Sequence, residues 1–353
     1  MLVVRHVSAT CPRRPGLYGV AMAVTRRLLT AGTIGAAAAT AAGLGVRARG
    51  QRIANTTDPE LDPLLEAPEG VSHHRLPTFD GGAVHVAELG QGPPVMLCHG
   101  VTLQWDVWSP LFRLLAEDHR VLAWDMRGHG ESHAGDEGVS LRAVATDLVT
   151  VLSTLDVSDA VVVGHSMGGM ALARTFIDHN AAARRRIAHG MFLATSAAPM
   201  HPVAHDPNTF RHQAAVAFAT GGMGSRLRYD WRSGNLSRVL LRRAFGVRAT
   251  GAAVEQLRAM TADMPPDSLT QAAHAIVKHD VREQLAGSGI HSSVVTGTLD
   301  RLTPPRHGRV LADSLGADSQ LDLLEGVGHQ VMQEDPWTLA ELIRKRAVSP
   351  SAA

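Results

Sequence analysis

The sequence predicts an α/β protein with a mainly parallel sheet, helices on both faces and a helical cap inserted late in the chain. Three observations predict it. Short apolar, β-branched runs alternate with longer stretches of helical period, the pattern of strands joined by crossover helices. One interval, residues 199–285, breaks that rhythm with amphipathic helical patterns and no convincing strand. Finally, 45% of the 353 residues are hydrophobic, enough for a substantial core.

The first element is a leader, residues 1–50. In TRRLLTAGTIGAAAATAAGLGV, Thr25 to Val46, the pair Arg26 and Arg27 precedes an uncharged run of 19 residues. The pair resembles a twin-arginine export signal, whose apolar segment is only mildly hydrophobic. A helix of that length reaches about 28 Å, against about 30 Å of bilayer core, so an uncleaved membrane anchor reads equally well. Arg47 and Arg49 crowd the exit of the run, where no good small-x-small cleavage site stands. A start at Met22 would place the arginine pair near the N-terminus, as a signal requires. Export or membrane anchoring is the expected localisation, with an Ala-rich soluble helix on a cytoplasmic protein as the competing reading. Residues 51–75, polar and proline-dotted, read as a linker.

The core is expected over residues 76–198 and 286–345. Its strands are AVHVAEL, PPVMLCHG, RVLAWDM, AVVVGHS, GMFLATSA, SSVVTG and QLDLLEG, with helices such as LRAVATDLVTVLSTL between them. Within 199–285, SRVLLRRAFG and LTQAAHAIVKHDVREQL are helical. Ligands of open α/β sheets bind outside the carboxyl ends of the strands, so an excursion leaving one of those ends would roof the site as a cap. Lys plus Arg (34) balances Asp plus Glu (33), so no global field favours nucleic acid. Cys11 and Cys98 fit no metal spacing, and Cys98, inside an apolar run, is expected as a small buried thiol.

Candidate chemistry centres on GHSMG, Gly164 to Gly168, with a strand before it and the helical pattern GGMALARTFIDH after it. This G-x-S-x-G turn sets Ser166 on a tight strand-to-helix bend that leaves no room for bulk on either side. A serine hydroxyl is a weak nucleophile and needs a base and a group that orients the base. Downstream, VVTGTLDRLTPP places Asp300 just after a strand, and LDLLEGVGHQVMQEDP places His329 in a glycine-flanked loop after the next one. In MLCHGVTLQW, His99 and Gly100 end a strand. The Val101 N–H can then point to the site, and the Met167 N–H, directly after Ser166, supplies a second oxyanion donor. Trp105 and Trp108, just past that turn, and His165, beside the serine, are the candidate substrate-binding residues, with plain packing as the alternative for the tryptophans.

Read together, CHG, DMRGHGES (Asp125 to Ser132), GHSMGG, GTLDRLTP and GVGH resemble the α/β-hydrolase superfamily, in its esterase, lipase and haloperoxidase-like serine hydrolase branch. The resemblance runs from about Leu76 to Ile343. It implies the α/β-hydrolase fold and a serine carboxylic ester hydrolase acting on small to medium apolar acyl groups. Ser166 would be the nucleophile, His329 the base, Asp300 the orienting acid, and Val101 and Met167 the oxyanion hole. No metal or organic cofactor is expected, and the expected partner is a small ester-like molecule. Lactone or C–C bond hydrolysis and a non-catalytic ligand-binding homologue are the alternatives. Relatives that open epoxides or remove halide use a carboxylate nucleophile, which Ser166 is not. Haloperoxidase-like members often carry an aromatic residue and a proline after the HG pair, where this chain has Val101 and Thr102. The DMRGHGES turn reads chiefly as a structural loop.

If the leader anchors the protein, cell fractionation will put the full chain in the membrane pellet and a chain starting at Thr56 in the supernatant. Equal distribution of the two would remove the anchor.

Overall fold

The computed structural model describes residues 42–199, 234–317 and 319–347. The chain divides into two compact units, Met1–Arg49 and Gly50–Ala353. Of the first, only residues 42–49 are described, and they are helical. The paired arginines, most of the apolar run and Cys11 lie outside the described residues. Among the described residues no helix is long and apolar enough to cross a membrane.

The second unit is built on one eight-stranded sheet in the order β1-β2-β4-β3-β5-β6-β7-β8. The strands are β1 (Ser72–Pro77), β2 (Ala83–Leu89), β3 (Pro94–Cys98), β4 (Arg120–Asp125), β5 (Ala160–His165), β6 (Ile187–Leu193), β7 (His291–Gly297) and β8 (Gln320–Leu324). β1 and β2 are antiparallel to each other and β2 to β4; every other pair is parallel. All seven expected strands form. The eighth, β1, escaped the sequence reading because SHHRLP is an edge strand that buries only Leu76.

Alternation along the strands divides the core into two layers, because successive side chains point to opposite faces. Met96, Cys98, Leu122, Trp124 and Val162 face one layer, with Val144, Leu148 and Val151 of the helix Leu141–Thr154 and Met170 and Phe176 of the helix Met167–Asp178. Val95, Leu97, Val121, Ala123, Val161 and Val163 face the other, with Leu111, Phe112 and Leu115 of Ser109–Leu115 and Leu339 and Ile343 of Pro336–Ala347. Helices therefore cover both faces. Cys98 is buried, and burial pushes its thiol up to about 12.

Residues 51–75 are packed rather than an open linker. Residues through 54 are helical, Asp62–Leu65 forms a 3-10 turn, and Leu61 and Leu65 are buried. Arg113 Nε donates to the Glu66 carbonyl and Gln256 Nε2 to that of Leu65. Three apolar anchors, Ile53, Leu61 and Leu65, are enough to hold a segment whose composition is otherwise polar.

Of the interval 199–285, residues 200–233 lie outside the described residues. The rest carries the helices Asn235–Leu241, Gly251–Asp263 and Pro266–Val277, and no strand among the described residues. These helices meet loops that follow the carboxyl ends of strands. Gln256 Nε2 donates to the Asp106 carbonyl and Gln104 Nε2 to Asp263, in the loop after β3. After β4, the Val139 N–H donates to Gln271 Oε1.

The loop DMRGHGES is fixed by Arg127, whose side chain is 0% exposed. Its guanidinium donates to Asp80 at 2.8 and 3.0 Å, to Asp147 at 2.6 and 3.0 Å, and to the Gly138 carbonyl at 2.9 Å. The two carboxylates respond oppositely. The Arg127 hydrogen bonds hold Asp80 well below the usual carboxylate range, whereas burial outweighs the same partner at Asp147 and raises it. Removing one member of such a buried cluster strands the others. Arg127→Met is therefore expected to cost about 3 to 5 kcal/mol of stability in urea unfolding, well beyond a surface substitution.

Candidate active site

Ser166 directly follows β5 and caps the helix Met167–Asp178 with φ 51° and ψ −115°, a conformation that side chains rarely adopt. Such a residue costs on the order of 1 to 3 kcal/mol and persists only where its surroundings over-determine it. They do so here. The Ser166 N–H donates to the Leu193 carbonyl at the end of β6, the Thr195 hydroxyl donates to the Ser166 carbonyl, and the N–H groups of Gly169 and Met170 donate to that same oxygen. Close approach explains the flanking glycines. A Cβ on Gly164 would lie 2.6 Å from the Gly169 Cα, and one on Gly168 would lie 2.4 Å from the Cys98 carbonyl oxygen.

The structure brings Asp300 and His329 together as the sequence spacing predicts. His329 Nδ1 donates to Asp300 Oδ2 at 2.9 Å, and both residues are buried, each 4% exposed. This bond places the imidazole proton on Nδ1 and leaves Nε2 as the basic nitrogen. Asp300 Oδ1 accepts from the N–H groups of Leu302 and Thr303, and the Thr303 hydroxyl donates to Oδ2 at 2.8 Å. The carboxylate is thus oriented by its own loop. His329 lies beside the serine turn: its ring centroid is 4.7 Å from that of His165, and His165 Nε2 donates to the His329 carbonyl at 2.9 Å.

The loop after β3 completes the arrangement. A Cβ on Gly100 would lie 3.0 Å from the Ser166 Cβ, so the peptide leading into Val101 borders the serine. Thr102, with φ 65°, turns the chain there. Met167 is the first residue of its helix, where an N–H has no intrahelical acceptor and the helix dipole favours negative charge. His99 braces the turn. Its Nδ1 donates to the Gly100 carbonyl at 2.7 Å and its Nε2 accepts from the Met126 N–H at 3.0 Å, while burial lowers its pKa and keeps it neutral.

Of the candidate substrate-binding residues, Trp108 takes the packing alternative and His165 is buried away from a ligand. Trp108 is 0% and His165 1% exposed, which leaves neither a surface for a ligand. Burial holds His165 well below its ordinary pKa, so it is a neutral brace on the His329 loop. The Trp105 ring packs edge-on against His73, His85 and Phe112, and the backbone N–H of Trp105 donates to Asp125 Oδ1. Asp125 also takes a bond from His85 Nδ1 and from the Glu131 N–H, which fits the structural reading of its loop. Sequence reasoning missed Thr303 and His99 as supporting groups. Thr303 had a signal, since a threonine three residues after a loop aspartate is placed to bond its side chain; His99 had none.

Residues 93–336 match the family described as alpha/beta hydrolase fold. Bifunctional epoxide hydrolase 2 from Sus scrofa is 41% identical over 115 residues, which cover 32% of this chain and only 21% of that protein. A non-heme haloperoxidase from Rhodococcus erythropolis is 25% identical over 260 residues, 71% of this chain and 90% of that one. Among solved structures, an esterase from Exiguobacterium antarcticum superposes with a TM-score of 0.66 at 19% identity, covering 78% of this chain and 99% of that one.

The contact at Gly168 yields a test of the serine turn. Because the atom opposing an added Cβ is backbone, Gly168→Ala is expected to cost about 1 to 3 kcal/mol in thermal unfolding and to displace Ser166. An unchanged melting temperature would contradict the packing described.

Proposed function

The chain belongs to the α/β-hydrolase fold family, and from that premise we propose that it is a serine hydrolase cleaving carboxylic esters of small to medium apolar acyl groups. One observation carries the reading: the 2.9 Å bond from His329 Nδ1 to Asp300 beside a serine held in a left-handed turn. Ser166 Oγ attacks the acyl carbon while His329 Nε2 takes its proton. Asp300 holds the productive tautomer and stabilises the imidazolium. The N–H groups of Val101 and Met167 receive the developing oxyanion. Collapse of the tetrahedral intermediate releases the alcohol, protonated by His329, and leaves an acyl-enzyme. His329 then activates water to hydrolyse it. The apolar side chain of half-buried Val101 beside the turn favours an uncharged acyl group, and the helices of the interval 199–285 serve as the cap that sizes its pocket. Export or anchoring through residues 25–46 belongs to the same proposal and rests on the paired arginines.

The test is hydrolysis of p-nitrophenyl esters from acetate to palmitate by the protein and two variants. Ser166→Ala is expected to abolish turnover. Asp300→Asn is expected to leave the fold intact and cut kcat by about 10⁴, the effect of a wrong imidazole tautomer in other triads. Activity on lactones alone would move the substrate class but keep the mechanism. A folded protein that neither hydrolyses these substrates nor labels at Ser166 with a fluorophosphonate is a binder, not an enzyme.

A further inference from the structure

Glu334 is fully buried at the end of the short helix Val331–Glu334, five residues after His329, and the mechanism above does not use it. Its two oxygens serve different segments. Oε1 accepts from the Gly328 N–H at 2.9 Å, directly before His329, and Oε2 accepts from the Gly246 N–H at 2.6 Å, within the helical interval. The two segments are also joined by backbone: the His329 N–H donates to the Ala244 carbonyl at 2.7 Å and the Val247 N–H to that of Gly326 at 2.8 Å. They touch so closely that a Cβ on Gly246 would lie 2.0 Å from the Gly326 oxygen, and one on Gly328 would lie 2.4 Å from the Gly246 nitrogen.

We propose that Glu334 is a positioning residue: its carboxylate ties the His329 loop to the cap segment at Gly246 and so sets where the imidazole stands relative to Ser166. The inference rests on reading His329 as the general base. A carboxylate suits the task because it accepts on both oxygens, and charge-assisted bonds are about twice as strong as neutral ones. A carboxamide has one accepting oxygen and would set an NH₂ against the other N–H. The tie is also costly, which argues against a passive filler. Burial raises Glu334 to about 7, against the pull of the two backbone N–H groups and of Arg242 from the 3-10 turn Arg242–Ala244; Asp300, facing it from the loop after β7, adds to the rise.

The experiment compares wild type with Glu334→Gln. Loss of one tether is expected to lower kcat about 10- to 100-fold, the effect of a sub-ångström misplacement of a catalytic group, with KM nearly unchanged. The acid limb of the kcat profile should become shallower, because the carboxylate that grips fully only when ionised no longer titrates. A variant with a lower melting temperature but wild-type kcat, KM and pH profile would overturn the proposal, since a merely structural role moves stability alone. A readout independent of turnover is the downfield Nδ1–H proton resonance of His329, assigned by its loss in His329→Ala. It should shift in Glu334→Gln. A shift in a protein that hydrolyses nothing would sink the ester reading and keep the tether, whereas an unshifted resonance would sink the tether. If Glu334→Gln does not fold, amide exchange in the wild type decides. Gly246 and Gly328 should be protected alike, through one opening event; a freely exchanging Gly246 would show that no tie exists.

Discussion

Ser166 sits in a left-handed backbone conformation with ψ −115°, and the central sheet is arranged so that this conformation cannot relax. Relaxation would need room, and there is none. The Gly168 backbone lies on the end of β3, that of Gly164 on Gly169, and the ends of β5 and β6 are joined through the Ser166 N–H. The order β3-β5-β6 at the middle of the sheet places one strand end on each side of the turn. The rigidity of the parallel sheet, buried on both faces, is thereby transferred to one hydroxyl.

The other half of the site is held by a different means. His329 stands on a loop after the last strand, where among the described residues no sheet neighbour lies beyond β8, so its placement depends on hydrogen bonds to side chains and to the helical interval. Its N–H, its carbonyl and its Nδ1 are each committed, to Ala244, His165 and Asp300. The only ring nitrogen left over is the one a general base needs. Preorganisation of this kind is where enzymes of acyl transfer gain most, because dipoles fixed before reaction need no rearrangement during it.

Burial sets the charge states around this centre. His99, His129 and His165 are all lowered by desolvation, His129 to about 3. Here they are neutral hydrogen-bonding groups rather than charges: His99 joins the loop after β3 to the Met126 N–H, His165 bonds the His329 carbonyl, and His129 bonds the Arg127 carbonyl within its own loop. Carboxylates divide by their partners. Asp80 is held ionised by Arg127, whereas Asp147 and Glu334 are raised because burial outweighs the groups that face them. Asp106, in the loop after β3, is likewise pushed up to about 6 by burial and by the nearby charge of Asp125.

Local pattern was enough for seven of the strands, for the serine turn and for the loops that carry Asp300 and His329, because each is written in contiguous residues. A buried parallel strand must be apolar along its length, a strained turn between packed chains must carry glycine, and loop residues at strand ends are free of packing demands. The edge strand β1 and the packed segment 51–75 were illegible because a few anchors such as Leu76, Leu61 and Leu65 hide among polar residues. The packing alternative for Trp108, and the burial of His165, were left undecided by sequence for a related reason. Proximity in sequence to Ser166 or to the β3 turn does not say which way a ring points, and the fold buries Trp108 and His165 while leaving Trp105 half-buried. Glu334 and Gly246 could not be paired from sequence at all, since 88 residues separate them. By itself the sequence determined the order of elements and the chemistry available at their ends; the tertiary structure decided which of those ends meet, because contact between distant segments depends on how the layers pack.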